Sequence, residues 1–225
     1  FIQKDILSKH KSFRELGQNH PAVKSIGNRL IPQSRYCDIY LVDKFFAWTN
    51  ELVPNKFKDL TNDHPRMVIP FRDVNGKVFA YQGRAFGNEQ PKYITIVLDK
   101  NNQKIFGLDR VDDSRNIIIV EGPIDSLFID NSVAVAQGDL RLPQYKTKST
   151  LVFDNEPRNR EIIKNIEKAV DEGYNVVIWP PHIEEKDIND MIISGLTNVE
   201  ITDIIHNNTF SGLEAKTQLS HWKKV

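Results

Sequence analysis

Acidic residues directly follow two apolar runs of the sequence. Residues 117–120 run into Glu121, and residues 151–153 run into Asp154 and Glu156. Carboxylates, with water and substrate phosphates, are the ligands that Mg²⁺ takes in phosphoryl-transfer sites. Two neighbouring parallel strands would deliver these carboxylates to one edge of a sheet, where α/β proteins place their ligands. The pattern therefore predicts an edge that can hold magnesium.

A third apolar run, residues 175–180, precedes a further acidic residue, Asp187. Asp187 opens an amphipathic segment and is another candidate metal ligand. Capping is the alternative for all of these acids, because Asp commonly caps a helix and Gly-Pro commonly forms a turn. For Asp187 the capping role and the metal role remain equally open on the sequence alone.

The second half of the chain alternates apolar runs with amphipathic segments, which predicts a mostly parallel sheet flanked by helices. One or two short helices are expected from Ile201 to the end. The predicted strands are 117–120, 132–136, 150–153 and 175–180, and the predicted helices are about 123–130, 158–171 and 187–194.

The first half reads differently, with a polar helical opening to about residue 30 and strands from Arg66 onward. Asn75-Gly76 predicts a hairpin turn, and residues 91–96 predict a further strand. Arg66, Arg84 and Lys92 would then lie on short antiparallel strands. Each could be an ordinary solvated charge, but together they are candidates for contacts with phosphate.

The formal charge of zero conceals two halves of opposite sign. Residues 1–112 carry 18 Lys and Arg against 12 Asp and Glu, and residues 113–225 carry 12 against 18. This asymmetry suits a first half that binds a polyanion and a second half that holds metal. No window approaches the roughly twenty apolar residues that cross a bilayer, and the N-terminus has no signal-peptide pattern, so a cytoplasmic location is expected.

Cysteine and aromatic residues exclude some classes of site. Cys37 is the only cysteine, which rules out an internal disulfide and a Cys-rich zinc site in this chain, and we expect it to be an inert packing residue. The aromatic residues between positions 36 and 60 favour a packed satellite core over a platform for nucleic acid.

Three acidic motifs together resemble those of the TOPRIM domain, the catalytic module of bacterial-type primases and several topoisomerases. The motifs are EGPID at 121–125, DNE at 154–156 and KDIND at 186–190. The upstream elements PR at 65–66, QGR at 82–84, PKYIT at 91–95 and IFGL at 105–108 resemble the basic subdomain that precedes TOPRIM in replicative primases. Over nearly the whole chain, the amino-acid sequence most resembles the primases of T-even-type tailed phages.

The resemblance implies an α/β fold and a division of the chain into three parts. A smaller mixed α+β basic subdomain would span 1–112, a Rossmann-like TOPRIM domain 113–200 and a helical tail 201–225. The implied activity is synthesis of short RNA primers from ribonucleoside triphosphates on single-stranded DNA during phage replication, in the cytoplasm of the bacterial host. A replicative helicase is the implied protein partner.

Residue roles follow from the same resemblance. Glu121 would be catalytic, either as an additional metal ligand or as the group that orients the attacking hydroxyl, with Asp125 in support. Asp154, Glu156 and Asp187 would hold Mg²⁺, for which Mn²⁺ could substitute. The remaining site residues, Arg66, Arg84 and Lys92, would bind nucleotide or template.

The chain departs from the family pattern at three points. Glu156 stands where bacterial primases have Asp, and Asn189 stands where they have the second Asp of the third motif. The family's N-terminal zinc ribbon has no counterpart here, so the sequence looks like a catalytic-core fragment without zinc. A TOPRIM nuclease, and a non-catalytic module that binds single-stranded DNA or a replisome partner, are the alternative functions.

Overall fold

The structure, a computed structural model, describes residues 5–136 and 138–225. Residues 1–4, at the start of the predicted helical opening, and Gln137 lie outside the described residues. The chain divides into two compact units, with the boundary after Asp109. Within the described residues, no helix is both long enough and apolar enough to cross a membrane.

The first unit is built on an antiparallel sheet in the order β1-β2-β3-β4-β5. Its elements are β1 (Lys11–Ser12), α1 (Phe13–Leu16), α2 (Pro21–Ile26), β2 (Tyr40–Val42), α3 (Phe45–Leu52), β3 (Arg66–Arg72), β4 (Val78–Ala85), β5 (Tyr93–Val97) and β6 (Ile105–Phe106). The predicted hairpin is confirmed, because β3 and β4 pair around a turn in which Gly76 has φ +79°.

Aromatic side chains of α3 pack on the sheet, as predicted for the segment 36–60. Phe45 and Trp48 are buried against Tyr81 of β4, whose hydroxyl donates to Thr49 Oγ1 at 2.9 Å. A Cβ atom at Gly83 would lie 2.3 Å from Phe45 Cε2, so only glycine fits beneath this ring. The rings form a core and not an exposed platform.

The expectation for Cys37 is wrong, because this residue is exposed. It lies in the short 3₁₀ helix Gln33–Asp38, where its thiol donates to the carbonyl of Ser34 at 3.4 Å. The turn directs the side chain away from the core, and the sequence carried no signal of that direction.

The second unit contains the predicted parallel sheet, with strands in the order β11-β10-β9-β7-β8. Parallel pairing joins β10 to β9, β9 to β7 and β7 to β8. The edge strand β11 pairs with β10 in the antiparallel direction. The elements are β7 (Ile117–Val120), α4 (Pro123–Ser126), β8 (Ser132–Val135), β9 (Ser149–Val152), α5 (Arg160–Asp171), β10 (Asn175–Val177), α6 (Ile188–Ser194), α7 (Asn198–Asn207), β11 (Thr209–Phe210) and α8 (Gly212–Trp222). The predicted α/β fold class is confirmed.

Local sequence explains how α5 forms beside this sheet. The Asn159 side chain caps the helix by accepting from the amides of Glu161 and Ile162. Five apolar residues on one face are buried, each burial being worth roughly 1.5–3 kcal/mol for the larger side chains. The helix ends before Gly173, which has φ +81°.

Two elements end three or more residues earlier than predicted. α4 ends at Ser126 instead of about residue 130, where Ser126 bonds to Ser132 of the next strand. The Ser126 hydroxyl donates to the Ser132 carbonyl, and the Ser132 hydroxyl donates to the Ser126 carbonyl. β10 ends at Val177 instead of residue 180, because the Ile178 amide donates to Asn208 and Pro180 has no amide hydrogen to donate.

Candidate active site

Three chain segments of the second unit meet at the carboxyl-terminal edge of its parallel strands. Val120 of β7 pairs with Val152 of β9, so Glu121 and Asp154 emerge next to each other. The segment after β10 returns to the same edge and ends at Asp187, the N-cap of α6. The topology therefore brings the three predicted acidic motifs together.

Glu121 and Asp154 are joined directly. The backbone amide of Asp154 donates to Glu121 Oε1 at 3.0 Å. Burial raises the pKa of Glu121, opposed by this hydrogen bond and reinforced by the charge of Glu156. Burial also raises the pKa of Asp154 to about 7, with the charge of Glu121 as the next cause. The two carboxyl groups are thus crowded and poorly solvated, which favours a proton or a cation between them.

Asp125 connects α4 to α6. Its Oδ1 accepts a hydrogen bond from the backbone amide of Asn189 at 2.9 Å, and its Oδ2 lies where a Cβ of residue 122 would be, which only Gly122 permits. Burial, followed by the charge of Asp187, raises the pKa of Asp125 to about 8. The structure therefore places Asp125 behind the acidic edge, where it holds the start of α6.

Lys186 supplies a positive charge within the acidic edge. Its Nζ lies 2.6 Å from Glu156 Oε1 and 3.5 Å from Asp154 Oδ2. The hydrogen bond to Glu156 is the first cause that raises the pKa of Lys186 to about 12, and the same bond lowers the pKa of Glu156. Sequence reasoning assigned no role to this residue, although it stands directly before Asp187 in the third motif.

Asp187 makes the capping contact that the sequence left open. Its Oδ1 accepts from the Asp190 amide at 2.8 Å. The residue also lines a small depression together with Glu121, Asp125 and Asp154, floored by Val120 and Trp179 among others. Asp187 therefore caps α6 and faces the acidic edge at the same time.

The side chains of this edge carry oxygen donors, which a hard divalent cation prefers. They do not form a complete metal site. Within residues 5–136 and 138–225, no three His, Cys, Asp or Glu side chains converge closely enough to hold a metal by themselves. Lys186 lies between Asp154 and Glu156, where it balances their charge. Carboxylate oxygens with raised pKa values are nevertheless the donors that Mg²⁺ combines with water and substrate phosphates.

In the first unit, the predicted phosphate-binding residue Arg66 is completely buried. Its guanidinium donates to the carbonyls of Gly83 at 3.2 Å, Lys92 at 3.3 Å and Pro91 at 3.0 Å, and it stacks on Phe45 at 5.5 Å. Burial lowers its pKa. In this structure Arg66 is therefore not available to a phosphate, and it holds the backbone that carries Lys92.

Arg84 and Lys92 lie near Arg66 on neighbouring strands. Arg84 pairs across the sheet with Tyr93, donating to its hydroxyl at 3.2 Å with the guanidinium over the ring at 5.8 Å. Arg84 is 7% exposed, whereas Lys92 is exposed. The structure thus brings the three basic residues together but leaves only Lys92 openly accessible.

The fold of the chain is similar to that of bacterial primase catalytic cores in solved structures. The Aquifex aeolicus primase structure with zinc-binding and RNA polymerase domains aligns with a TM-score of 0.64 over 92% of this chain and 61% of that one, at 22% identity. The DnaG primase catalytic domain bound to ssDNA aligns with a TM-score of 0.60 over 85% of this chain and 74% of that one, at 16% identity.

The chain is similar in sequence to the DNA primase of Enterobacteria phage T4. The two are 38% identical over 216 residues, which cover 94% of this chain and 63% of the phage protein. The DNA primase of Thermotoga maritima is 30% identical over 135 residues, 52% of this chain and 24% of that protein. The chain thus spans less than two thirds of these relatives. No protein-family model matches it. The predicted resemblance to primases of T-even-type phages is confirmed.

Proposed function

We propose that this chain is the catalytic core of a DNA primase, which joins ribonucleoside triphosphates on a single-stranded DNA template. The observation that carries the proposal is the hydrogen-bonded pair of Glu121 and Asp154 at the edge of a sheet with the primase-core fold. Sequence similarity to the phage T4 primase over nearly all of this chain supports the same activity.

In the proposed reaction, the 3′ hydroxyl oxygen of one nucleotide bonds to the α-phosphorus of the next. The bond from that phosphorus to the leaving pyrophosphate breaks. We assign to Glu121 the orientation of the hydroxyl and the acceptance of its proton, because its carboxylate is poorly solvated and burial raises its pKa. Asp125 supports the site by fixing the start of α6, because its carboxylate accepts a hydrogen bond from the backbone amide of Asn189.

Asp154, Glu156 and Asp187 are the residues that would hold Mg²⁺, or Mn²⁺ in its place. When bound, the ion would neutralise charge on the phosphate oxygens during in-line displacement. The ion pairs of Lys186 keep the Asp154 and Glu156 carboxylates oriented toward each other. Lys186 therefore must release at least one carboxylate before both can bind a cation.

Arg84 and Lys92 are the proposed contacts to triphosphate or to the template backbone. Lys92 offers an exposed point charge, and Arg84 offers a guanidinium that Tyr93 already orients. Arg66 contributes by donating to the backbone carbonyls of Pro91 and Lys92, which fixes the position of Lys92. With so few phosphate contacts, template binding would be weak and sensitive to salt.

Single-stranded DNA and ribonucleoside triphosphates are the proposed ligands, and a replicative helicase is the proposed protein partner in the cytoplasm of a bacterial host. The structural similarity to a DnaG catalytic domain bound to ssDNA supports the template. The helicase follows from the resemblance to phage replicative primases alone.

The proposal is tested by incubating the chain with labelled ribonucleotides, single-stranded DNA and Mg²⁺. Oligoribonucleotides that appear only when template and Mg²⁺ are both present support a primase. Cleavage of labelled single strands without nucleotides would instead show a TOPRIM nuclease. DNA binding without either reaction, unaffected by changes at the acidic edge, would show a non-catalytic binding module.

A further inference from the structure

A second cavity of the second unit lies beside the acidic motif of residues 154–156. Its volume is about 430 Å³, within the range of small-molecule sites. We call it the aromatic pocket and define it by six of its lining residues: Arg158, Trp179, Pro180, Phe210, Trp222 and Lys224.

Aromatic rings and prolines form the apolar part of the lining of the aromatic pocket. Phe210 and Trp222 are partly exposed, so their rings are accessible to a ligand. Trp179 is buried and fixed, because its indole nitrogen donates to the Phe153 carbonyl at 2.8 Å. Aromatic faces of this kind stack on nucleobases without selecting one base.

The rim of the pocket carries positive charge that the protein does not neutralise. Arg158 and Lys224 are exposed and make no ion pair within the described residues. The neighbouring lysines differ, because Lys223 pairs with Glu167 at 3.0 Å and Lys216 with Asp171 at 2.7 Å. Glu184 is the one acidic residue among those that line the pocket. This rim complements an anion.

We propose that the aromatic pocket binds a nucleotide, with the base against Phe210 and Trp222 and a phosphate at Arg158 and Lys224. An aromatic group and a negative charge side by side are the two features that the walls and the rim would recognise together. The nucleotide is either a free ribonucleotide or one unit of a single strand. This site lies beside the acidic edge, with which it shares Trp179, and it extends the proposed function.

The indole N–H of Trp222 can report the binding of a ligand in the aromatic pocket. Its indole nitrogen donates to Asn155 Oδ1 at 3.0 Å, and Asn155 donates in turn to the carbonyls of Ile183 at 2.9 Å and Glu185 at 3.1 Å. A ligand that stacks on the ring must change the magnetic environment of this indole proton. The chain has three tryptophans, so the three indole signals are separable by NMR.

The experiment titrates the ¹⁵N-labelled chain with ATP in one arm and with a short oligodeoxythymidylate in the other, both in EDTA. Trp222→Phe assigns the reporter signal. We expect a saturable shift of the Trp222 signal in at least one arm, and that arm identifies the source of the nucleotide. In Arg158→Ala/Lys224→Ala the dissociation constant for that ligand should rise about tenfold, since two charge-assisted contacts are lost.

The matched control is Lys164→Ala/Lys168→Ala, which removes two exposed charges from α5 outside the pocket. This control should bind as the wild type does. The proposal is overturned if neither ligand moves the Trp222 signal, or if the pocket variant and the control bind equally well. Because the titration contains no divalent cation and measures no primer synthesis, its failure would leave the proposed function untouched.

Discussion

The backbone amide of Asp154 donates a hydrogen bond to Glu121 Oε1 at 3.0 Å, which ties the end of β9 to the end of β7. The bond fixes one oxygen of Glu121, and Glu121 lines the same depression as Asp187. Burial raises the pKa of Glu121 and that of Asp154, and the charge of Glu121 raises the pKa of Asp154 further. The edge is therefore arranged around charge that the protein only partly neutralises.

Glu121→Gln should abolish primer synthesis while preserving the fold. The Gln side chain keeps an oxygen that can accept from the Asp154 amide, but it carries no charge and cannot take a proton. Loss of a positioned general base costs about 10²–10⁴-fold in rate. The measurement is primer yield against time, with the thermal unfolding midpoint as the control for folding. Near-normal synthesis by this variant would remove Glu121 from the catalytic role.

Lys186→Met should strengthen binding of a divalent cation to the acidic edge. The change removes the ammonium group that lies 2.6 Å from Glu156 and 3.5 Å from Asp154. Because Lys186 is exposed and its charge is screened by solvent, we expect a gain of about tenfold in affinity, well below the unscreened Coulomb energy. Titration with Mn²⁺ followed by electron paramagnetic resonance measures it.

The control for this change is Lys164→Met, which replaces an exposed lysine elsewhere in the same unit. Its affinity for Mn²⁺ should equal that of the wild type. Equal affinities in Lys186→Met and the wild type would show that Lys186 does not compete with the cation.

Arg66→Ala should reduce stability and not merely ligand binding. The substitution leaves a cavity above Phe45 and takes donors from the carbonyls of Gly83, Pro91 and Lys92. A loss of about 2–4 kcal/mol in the free energy of unfolding is expected for a buried polar network of this kind. Urea denaturation of the two variants Arg66→Ala and Lys77→Ala makes the comparison, because Lys77 is exposed. Equal stability would show that the buried guanidinium is dispensable.

Lys92→Ala should weaken template binding without affecting stability, because its side chain is exposed. Removal of one phosphate contact to a single strand should lower the slope of log affinity against log salt by about 0.7. Fluorescence anisotropy at several salt concentrations gives both quantities. An unchanged salt slope in Lys92→Ala would place this lysine outside the interface.

Arg84→Ala should likewise raise the template or nucleotide concentration required for primer synthesis.

The acidic edge was predictable from the sequence because apolar runs end directly at the acids. Once Val120 and Val152 pair in parallel, Glu121 and Asp154 must be neighbours. The cap at Asp187 was predictable for the same local reason, since a capping residue acts within its own first turn.

Contacts between distant parts of the chain could not be predicted in this way. Burial of Arg66 depends on carbonyls 17 to 26 residues away, and a single arginine before an apolar run looks the same whether it faces water or protein. The bond between Trp222 and Asn155 spans 67 residues. The ion pairs of Lys186 depend on how the loop after β10 returns to the sheet, and no periodicity in the sequence encodes that path.

The most direct test of primer synthesis at the acidic edge compares the variant Asp154→Asn with Asp203→Asn, in which an exposed residue of α7 is changed. Labelled ribonucleotides, single-stranded DNA and Mg²⁺ are supplied to each variant and to the wild type. We expect primers from the wild type and from Asp203→Asn. In Asp154→Asn we expect the rate of primer synthesis to fall by at least about 10²-fold, with an unchanged unfolding midpoint. Primer synthesis at the wild-type rate by Asp154→Asn would contradict a role for Asp154 in the reaction.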